Sequence, residues 1–374
     1  MTTPLGREIA FLIAAEGPMS FERYMELCLA HPRHGYYMTR DPLGAQGDFI
    51  TSPEISQMFG ELVGVWATAV WQSLGEPSSV QLIELGPGRG TLMADALRAA
   101  QATRPFYNAI EVCLVETSPV LRERQREALA SLGVPVTWAR ALEEAPDGPM
   151  IVIANEFFDA LPVRHYVRAD GEWREKFIGL DENDRLMAGL APDPEPAIHT
   201  PAPDGSVLEI GAAAHGAMAR LAQRLVANSG AALVIDYGHV QTGFGETAQA
   251  LRRHEPVDVL EAPGECDLTA HVDFASLARA ARAGGAATHG PVLQANLLTS
   301  LGLFERAAQL KRKASPRQAL DIDRAVARLT NVATMAGATG APVPGMGALF
   351  KALAVTSPGL PVPPGFPGYE EALP

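Results

Sequence analysis

Two rhythms of apolar residues alternate along the chain. Short runs that are apolar almost throughout, Val80–Leu85, Glu111–Glu116, Val134–Trp138, Met150–Ala154 and Ala231–Ile235, end in a glycine, an acid or an amide. Such runs predict strands of a parallel sheet covered on both faces. Between them, apolar positions step by three and four, as in Leu121, Gln125 and Leu129, or Met218, Leu221, Ala222 and Leu225. That spacing predicts helices, and the alternation predicts an α/β doubly wound sheet. Ala286–His289 and Ala348–Ala354 extend the count to seven strands.

Residues 1–75 precede the first of these strands and carry helical patterns and one polar, glycine-rich loop, Asp41–Pro53. Ile9, Leu12 and Ile13 make one, Ser20–Ala30 a second capped by Ser20, and Ile55, Met58, Phe59, Leu62 and Val63 a third. The division expected is a helical N-terminal segment over 1–75 and a core over 76–374. Two stretches break the core's rhythm, about 161–210 and 300–345. In the first, Val163–Val167 and Glu172–Ile178 flank Asp170-Gly171, a hairpin signal. Pro192–Pro203 then reads as irregular. In the second, Leu303–Lys313 and Ile322–Met335 read as helices.

The candidate chemistry starts at Val80-Gln-Leu-Ile-Glu-Leu-Gly-Pro-Gly-Arg-Gly-Thr91, where a buried strand runs into Gly86, Pro87, Gly88 and Gly90. Glycines let the chain turn sharply and let a ligand lie against bare backbone. The helix starting at Thr91 directs free N–H groups over the turn. The spacing is not the G-x-G-x-x-G of dinucleotide folds and lacks the Lys-Ser/Thr of a phosphate loop. A glycine-rich turn of another α/β protein is the plainer alternative. Glu84 lies two residues before the first glycine; acid followed by G-x-G-x-G resembles the first motif of class I S-adenosylmethionine-dependent methyltransferases. There the carboxylate would hold the cofactor's ammonium. The second strand ends at Glu116-Thr117, and Ser118-Pro119 is a strong helix start. An acid at this strand tip can accept hydrogen bonds from both hydroxyls of a ribose.

Composition narrows the function classes. A formal net charge of −13 and a pI near 5.2 argue against an unspecific grip on nucleic acid and are compatible with a basic substrate. Cys28, Cys113 and Cys266 are too few and too scattered for a disulfide framework or a zinc site. No stretch approaches the ~20 apolar residues of a membrane span. No secretory or mitochondrial leader pattern is recognised, and residue usage has a bacterial cast, so a bacterial cytoplasmic protein is expected.

Longer segments carry a more specific resemblance. Gly47-Asp-Phe-Ile-Thr-Ser-Pro-Glu-Ile-Ser-Gln-Met-Phe-Gly-Glu61, Glu84–Gly90, Asn155-Glu-Phe-Phe-Asp-Ala-Leu-Pro162, Leu233-Val-Ile-Asp-Tyr-Gly-His239 and Met346-Gly-Ala-Leu-Phe-Lys351 together resemble the MidA-type methyltransferase family. That family occurs in bacteria and mitochondria, and its mitochondrial member is a protein arginine methyltransferase needed to assemble respiratory complex I. The resemblance implies a class I, Rossmann-like, seven-stranded methyltransferase fold; since methyl transfer needs water excluded, residues 1–75 are expected as a helical lid. It implies S-adenosyl-L-methionine as cofactor, no metal, and a protein acceptor bearing arginine, such as an NADH dehydrogenase subunit. The expected cofactor residues are Glu84, Gly86, Pro87, Gly88, Gly90, Glu116, Thr117, Asn155, and Ala141 with Leu142 beside the adenine. Glu156, Asp159, Asp48, Tyr237 and His239 are the expected acceptor-side residues. The insertions would serve substrate choice or contact within a homodimer. A fold-retaining assembly factor without catalysis, and a small-molecule methyltransferase, are the alternatives.

Overall fold

The computed structural model describes residues 3–39, 51–252, 255–335 and 342–368. The chain forms two compact units. One, the sheet unit, comprises Ile50–Phe158, Met218–Val240 and Phe274–Pro374; the other comprises Met1–Phe49, Asp159–Ala217 and Gln241–Asp273. The boundary expected at residue 75 is therefore redrawn. The helix Gln57–Ser73 belongs with the sheet because its Met58, Phe59, Leu62, Val63, Trp66 and Val70 are buried in the same core as the first strand.

In the sheet unit the strands are β1 Val80–Leu85, β2 Ile110–Val115, β3 Val136–Ala139, β4 Met150–Asn155, β5 Gly230–His239, β6 Ala287–Leu293 and β7 Phe350–Thr356. They lie side by side in the order β6-β7-β5-β4-β1-β2-β3. Strands β1 to β5 pair in parallel. Strand β7 runs antiparallel to both β5 and β6. Every residue of β1 and of β4 is buried, as centrally placed parallel strands require. The chain moves outward from β1 through β2 to β3, then returns to the other side of β1 as β4. That reversal is the switch point beside which doubly wound sheets bind ligands, at the carboxyl ends of their strands.

The helices that cover the tips follow from local sequence. Helix α1, Gln57–Ser73, carries Gly60 and Gly64 one turn apart on its inner face. Helix α2, Thr91–Ala100, begins directly after the glycine loop. A Cβ on Gly60 would stand 2.6 Å from Asp95 Cβ, and one on Gly64 2.5 Å from the Ala96 carbonyl, so the glycines set how closely α1 and α2 approach. Helix α3, Pro119–Leu129, is capped by the Ser118 hydroxyl accepting from the Leu121 N–H at 3.3 Å. Among the described residues no helix is long and apolar enough to cross a membrane.

Other expected boundaries move as well. The helix expected over Ile322–Met335 is observed as Pro316–Thr330, and Ala333–Met335 instead pairs with Pro342–Pro344. The last strand starts at Phe350 because Met346–Leu349 forms a helical turn. The 300–345 stretch is no appendage: Leu303, Ala307, Val326 and Leu329 are buried in the main core.

The second unit is built differently. The expected hairpin is present as Arg164–Ala169 and Glu172–Leu180, antiparallel, and Leu186–Leu190 and Val207–Ile210 extend it. Met19–Ser20 pairs with Ile178 and Phe177 of the hairpin's second strand. Its core gathers Leu5, Ile9 and Ile13 of helix Pro4–Glu16 with Phe21, Tyr24, Met25 and Cys28 of helix Phe21–Ala30.

Candidate active site

The pairing register brings the strand tips of the sheet unit to one edge. Leu85 of β1 lies opposite Val115 of β2 and Ala154 of β4, and Asn155 lies opposite Ile235 of β5. The residues that follow, Gly86, Glu116, Glu156 and Asp236, therefore emerge along the same edge.

Gly86, Gly88 and Gly90 all have positive φ, at 61°, 53° and 81°. A Cβ on Gly86 would meet Phe157 Cδ2 at 3.0 Å, so the turn needs glycine for its conformation and for space. Gly90 is the left-handed N-cap of α2 and has no side chain to occupy the first N–H groups of that helix. Pro87, within the turn, is buried.

Glu84 is buried within β1, and its Oε2 has no hydrogen-bond partner in the protein. Burial without a compensating charge pushes its carboxyl up to about 8. A buried acceptor of this kind is costly unless a ligand supplies the donor, and an ammonium would do so. Asn155 Oδ1, at the tip of β4, is likewise buried and unsatisfied.

Glu116 is buried at the tip of β2. Its Oε1 accepts the Ser118 N–H at 2.7 Å and its Oε2 the Gln125 amide at 3.2 Å. Desolvation raises its pKa, opposed by those bonds and by the Thr117 N–H. The Thr117 side chain itself is exposed, so only its backbone takes part. Arg122 ties the same strand tip down, donating to the Glu116 carbonyl from Nε at 2.8 Å and from Nη2 at 2.6 Å.

After β3, Ala141 is extended and Leu142 opens a single tight turn, Leu142–Glu144. Arg224 holds this loop from behind, donating to the carbonyls of Glu143, Ala145 and Pro146 at 3.3, 2.8 and 3.1 Å.

Glu156, the residue after β4, has φ 51°, an uncommon conformation for a side chain-bearing residue. Its Oε1 accepts the Asn155 amide and the Ser52 N–H, both at 3.0 Å. The Ser52 hydroxyl donates to Gln294 Oε1 at 3.2 Å, and Gln294 is fixed to the Leu329 carbonyl at 3.0 Å. Asp236 holds the next two residues: its Oδ2 accepts the N–H groups of Phe157 at 3.2 Å and Phe158 at 2.9 Å. The backbone turn carrying Glu156 is thus locked from β5.

The remaining expected residues are not all drawn together. Asp48 lies outside the described residues. Asp159 falls in the second unit, where its carbonyl accepts the Ala270 N–H at 3.0 Å. Tyr237 is buried, its ring 5.5 Å from that of Phe350, and His239 is half-buried at the end of β5. Asp236, two residues before Gly238, is the part of that segment that demonstrably shapes the loop after β4. Gln125, Arg122, Ser52 and Arg224 were not expected at all. Gln125 had left a trace, as a polar residue on the apolar stripe between Leu121 and Leu129.

The sheet order, the reversed strand β7 and a glycine turn beside two buried strand-end carboxylates define a class I S-adenosylmethionine-dependent methyltransferase fold. The residues fit that cofactor: Glu84 offers an unpaired acceptor, Gly86, Gly88 and Gly90 leave backbone bare at three positions of the turn, and Glu116 retains acceptor capacity. The chain belongs to this family, since the model of an S-adenosyl-L-methionine-dependent methyltransferase family matches residues 62–292. It is 40% identical to the mitochondrial protein arginine methyltransferase NDUFAF7 of Mus musculus over 83% of this chain and 77% of that protein. The Homo sapiens protein of the same name is 39% identical, over 84% of this chain and 76% of that protein. A crystal structure from Burkholderia thailandensis with S-adenosyl-homocysteine bound superposes with a TM-score of 0.78 at 26% identity, covering 96% of this chain and 93% of that one.

S-adenosyl-L-methionine, when bound, supplies an electrophilic methyl group. The protein's part is to hold and to orient. Glu84 would take the ammonium, the Gly86–Gly90 turn the amino-acid portion, Glu116 the ribose, and Ala141 with Leu142 the adenine. Among the described residues no cluster of side chains could hold a metal ion.

Proposed function

We propose that this methyltransferase modifies arginine side chains of a protein. The observation that carries the reading is the carboxylate of Glu156, held at the tip of β4 by the Asn155 amide and the Ser52 N–H on a left-handed backbone. A carboxylate anchored through one oxygen can pair with a guanidinium through a charge-assisted hydrogen bond. It can also draw off the proton that the nitrogen loses as it is methylated. The relatives named as protein arginine methyltransferases support the same acceptor. A net charge of −13 favours a cationic segment over an acidic one. The resemblance noted from the sequence further points to a subunit of respiratory NADH dehydrogenase as the protein modified.

The test is transfer of labelled methyl from S-adenosyl-L-methionine into arginine- and lysine-bearing peptides and into isolated NADH dehydrogenase, with the modified residue located by mass spectrometry. Label is expected on arginine. Glu156→Gln should lower kcat by about 100-fold while S-adenosyl-homocysteine still binds. Label on lysine, or only in a low-mass product, would overturn the reading. Cofactor binding with no transfer to any protein would favour an assembly factor without catalysis.

A further inference from the structure

Gln125 makes three hydrogen bonds that join the tips of three strands, although it lies on helix α3 and is fully buried. Its Nε2 donates to the Gly88 carbonyl at 2.7 Å, in the glycine turn after β1, and to Glu116 Oε2 at 3.2 Å, at the tip of β2. Its Oε1 accepts the indole N–H of Trp138, on β3, at 2.9 Å. The backbone is equally close: a Cβ on Gly90 would stand 3.4 Å from Gln125 Cα.

The chemistry of the partners permits one orientation of this amide. An indole N–H only donates, and a carbonyl and a carboxylate only accept. Turning the amide over would set its oxygen against two acceptors and its NH2 group against a donor. Trp138 therefore fixes the amide, and the amide fixes one oxygen of Glu116, while the Ser118 N–H fixes the other at 2.7 Å. One lone pair on each carboxylate oxygen is committed to the protein by these two bonds. With the Thr117 N–H as a third donor the carboxylate plane is set, and the acceptor capacity that remains is what a ribose hydroxyl would use.

We infer that Gln125, oriented by Trp138, is a positioning residue that sets the ribose selectivity of the cofactor site by acting through Glu116. It does not touch the cofactor. The inference rests on Glu116 as the ribose ligand, and the experiment separates the two.

Affinities for S-adenosyl-homocysteine and for its 2′-deoxy form are measured by titration calorimetry on the full chain. In the unaltered protein the deoxy form should bind about tenfold more weakly, the worth of one hydrogen bond to a charged acceptor. Gln125→Met keeps the volume and removes the polar contacts. It should weaken S-adenosyl-homocysteine about tenfold and bring the ratio between the two ligands close to one. Trp138→Phe frees the amide and keeps an aromatic ring on β3; it should move the ratio the same way by a smaller amount, and it serves if Gln125→Met does not fold. A role confined to stability would weaken both ligands equally, so an unchanged ratio in the folded variants overturns the inference. Equal binding of the two ligands by the unaltered protein would remove Glu116 as ribose ligand, and the role of Gln125 with it.

Discussion

Glu84 is the residue at which protonation and cofactor binding are expected to be linked. Its carboxyl is pushed up to about 8 from the ordinary 4.5 by burial alone. The folded protein therefore holds a proton there that the unfolded chain has lost, and the stability this group contributes is complete below the ordinary carboxylate range and disappears as pH rises to about 8. Melting temperatures of the free protein should fall from pH 5 to pH 8, and Glu84→Gln should flatten that slope. An ammonium placed beside Glu84 reverses the preference and ionises it. Binding of S-adenosyl-homocysteine at pH 7 should then release a proton, visible as different binding heats in buffers of different ionisation enthalpy. Equal heats would show that Glu84 does not meet the ammonium. Gly86 gives a second residue-scale expectation. With φ at 61° and Phe157 3.0 Å from its absent Cβ, Gly86→Ala should cost about 1–2 kcal/mol of stability in urea titrations and abolish cofactor binding.

At the scale of elements, the glycine turn is only as well placed as the helix that follows it. Helix α2 is seated on α1 through Gly60 and Gly64, whose missing side chains leave room for Asp95 and the Ala96 carbonyl. Gly64→Ala would drive a methyl group to 2.5 Å from that carbonyl and force the helices apart. A loss of about 1–3 kcal/mol is expected from overpacking. It should come with weaker cofactor binding, because the start of α2 moves with the helix; full affinity in a destabilised variant would show that the turn is held independently of α1. Helix α3 offers a contrast. Ser118→Ala removes its cap, worth about 1 kcal/mol, but keeps the Ser118 N–H that holds Glu116. Stability should fall while affinity changes little.

Over the whole molecule, the chain passes between the two units several times, so the second unit is assembled from three separate stretches. The residues assigned to the cofactor all lie in the sheet unit. Two compact units of this kind are expected to break two-state behaviour, with a calorimetric unfolding enthalpy larger than the van't Hoff value. S-adenosyl-homocysteine at 100 times its dissociation constant should add about 2.7 kcal/mol to the state that binds it, and the shift should fall on the transition of the sheet unit. A single transition with equal enthalpies would show that the units unfold together.

Local order along the chain was legible because its causes are local. An unbroken apolar run announces a buried strand, glycines announce a turn that no side chain can enter, and Ser118-Pro119 announces a helix start; strands β1, β2 and β4, the Gly86–Gly90 turn and the acids at 84 and 116 follow from the sequence by itself. Partnership between distant residues was decided only in three dimensions. Asp236 bonding the N–H groups of Phe157 and Phe158, Arg224 gripping the loop after β3, and Gln125 joining three strand tips each depend on a strand order that reverses at β1. The assignment of Asp159 and Glu156 to different units, and of Gln57–Ser73 to the sheet, depends on long-range burial in the same way. Hydrophobic periodicity records which face of an element is covered, and carries no record of which element covers it.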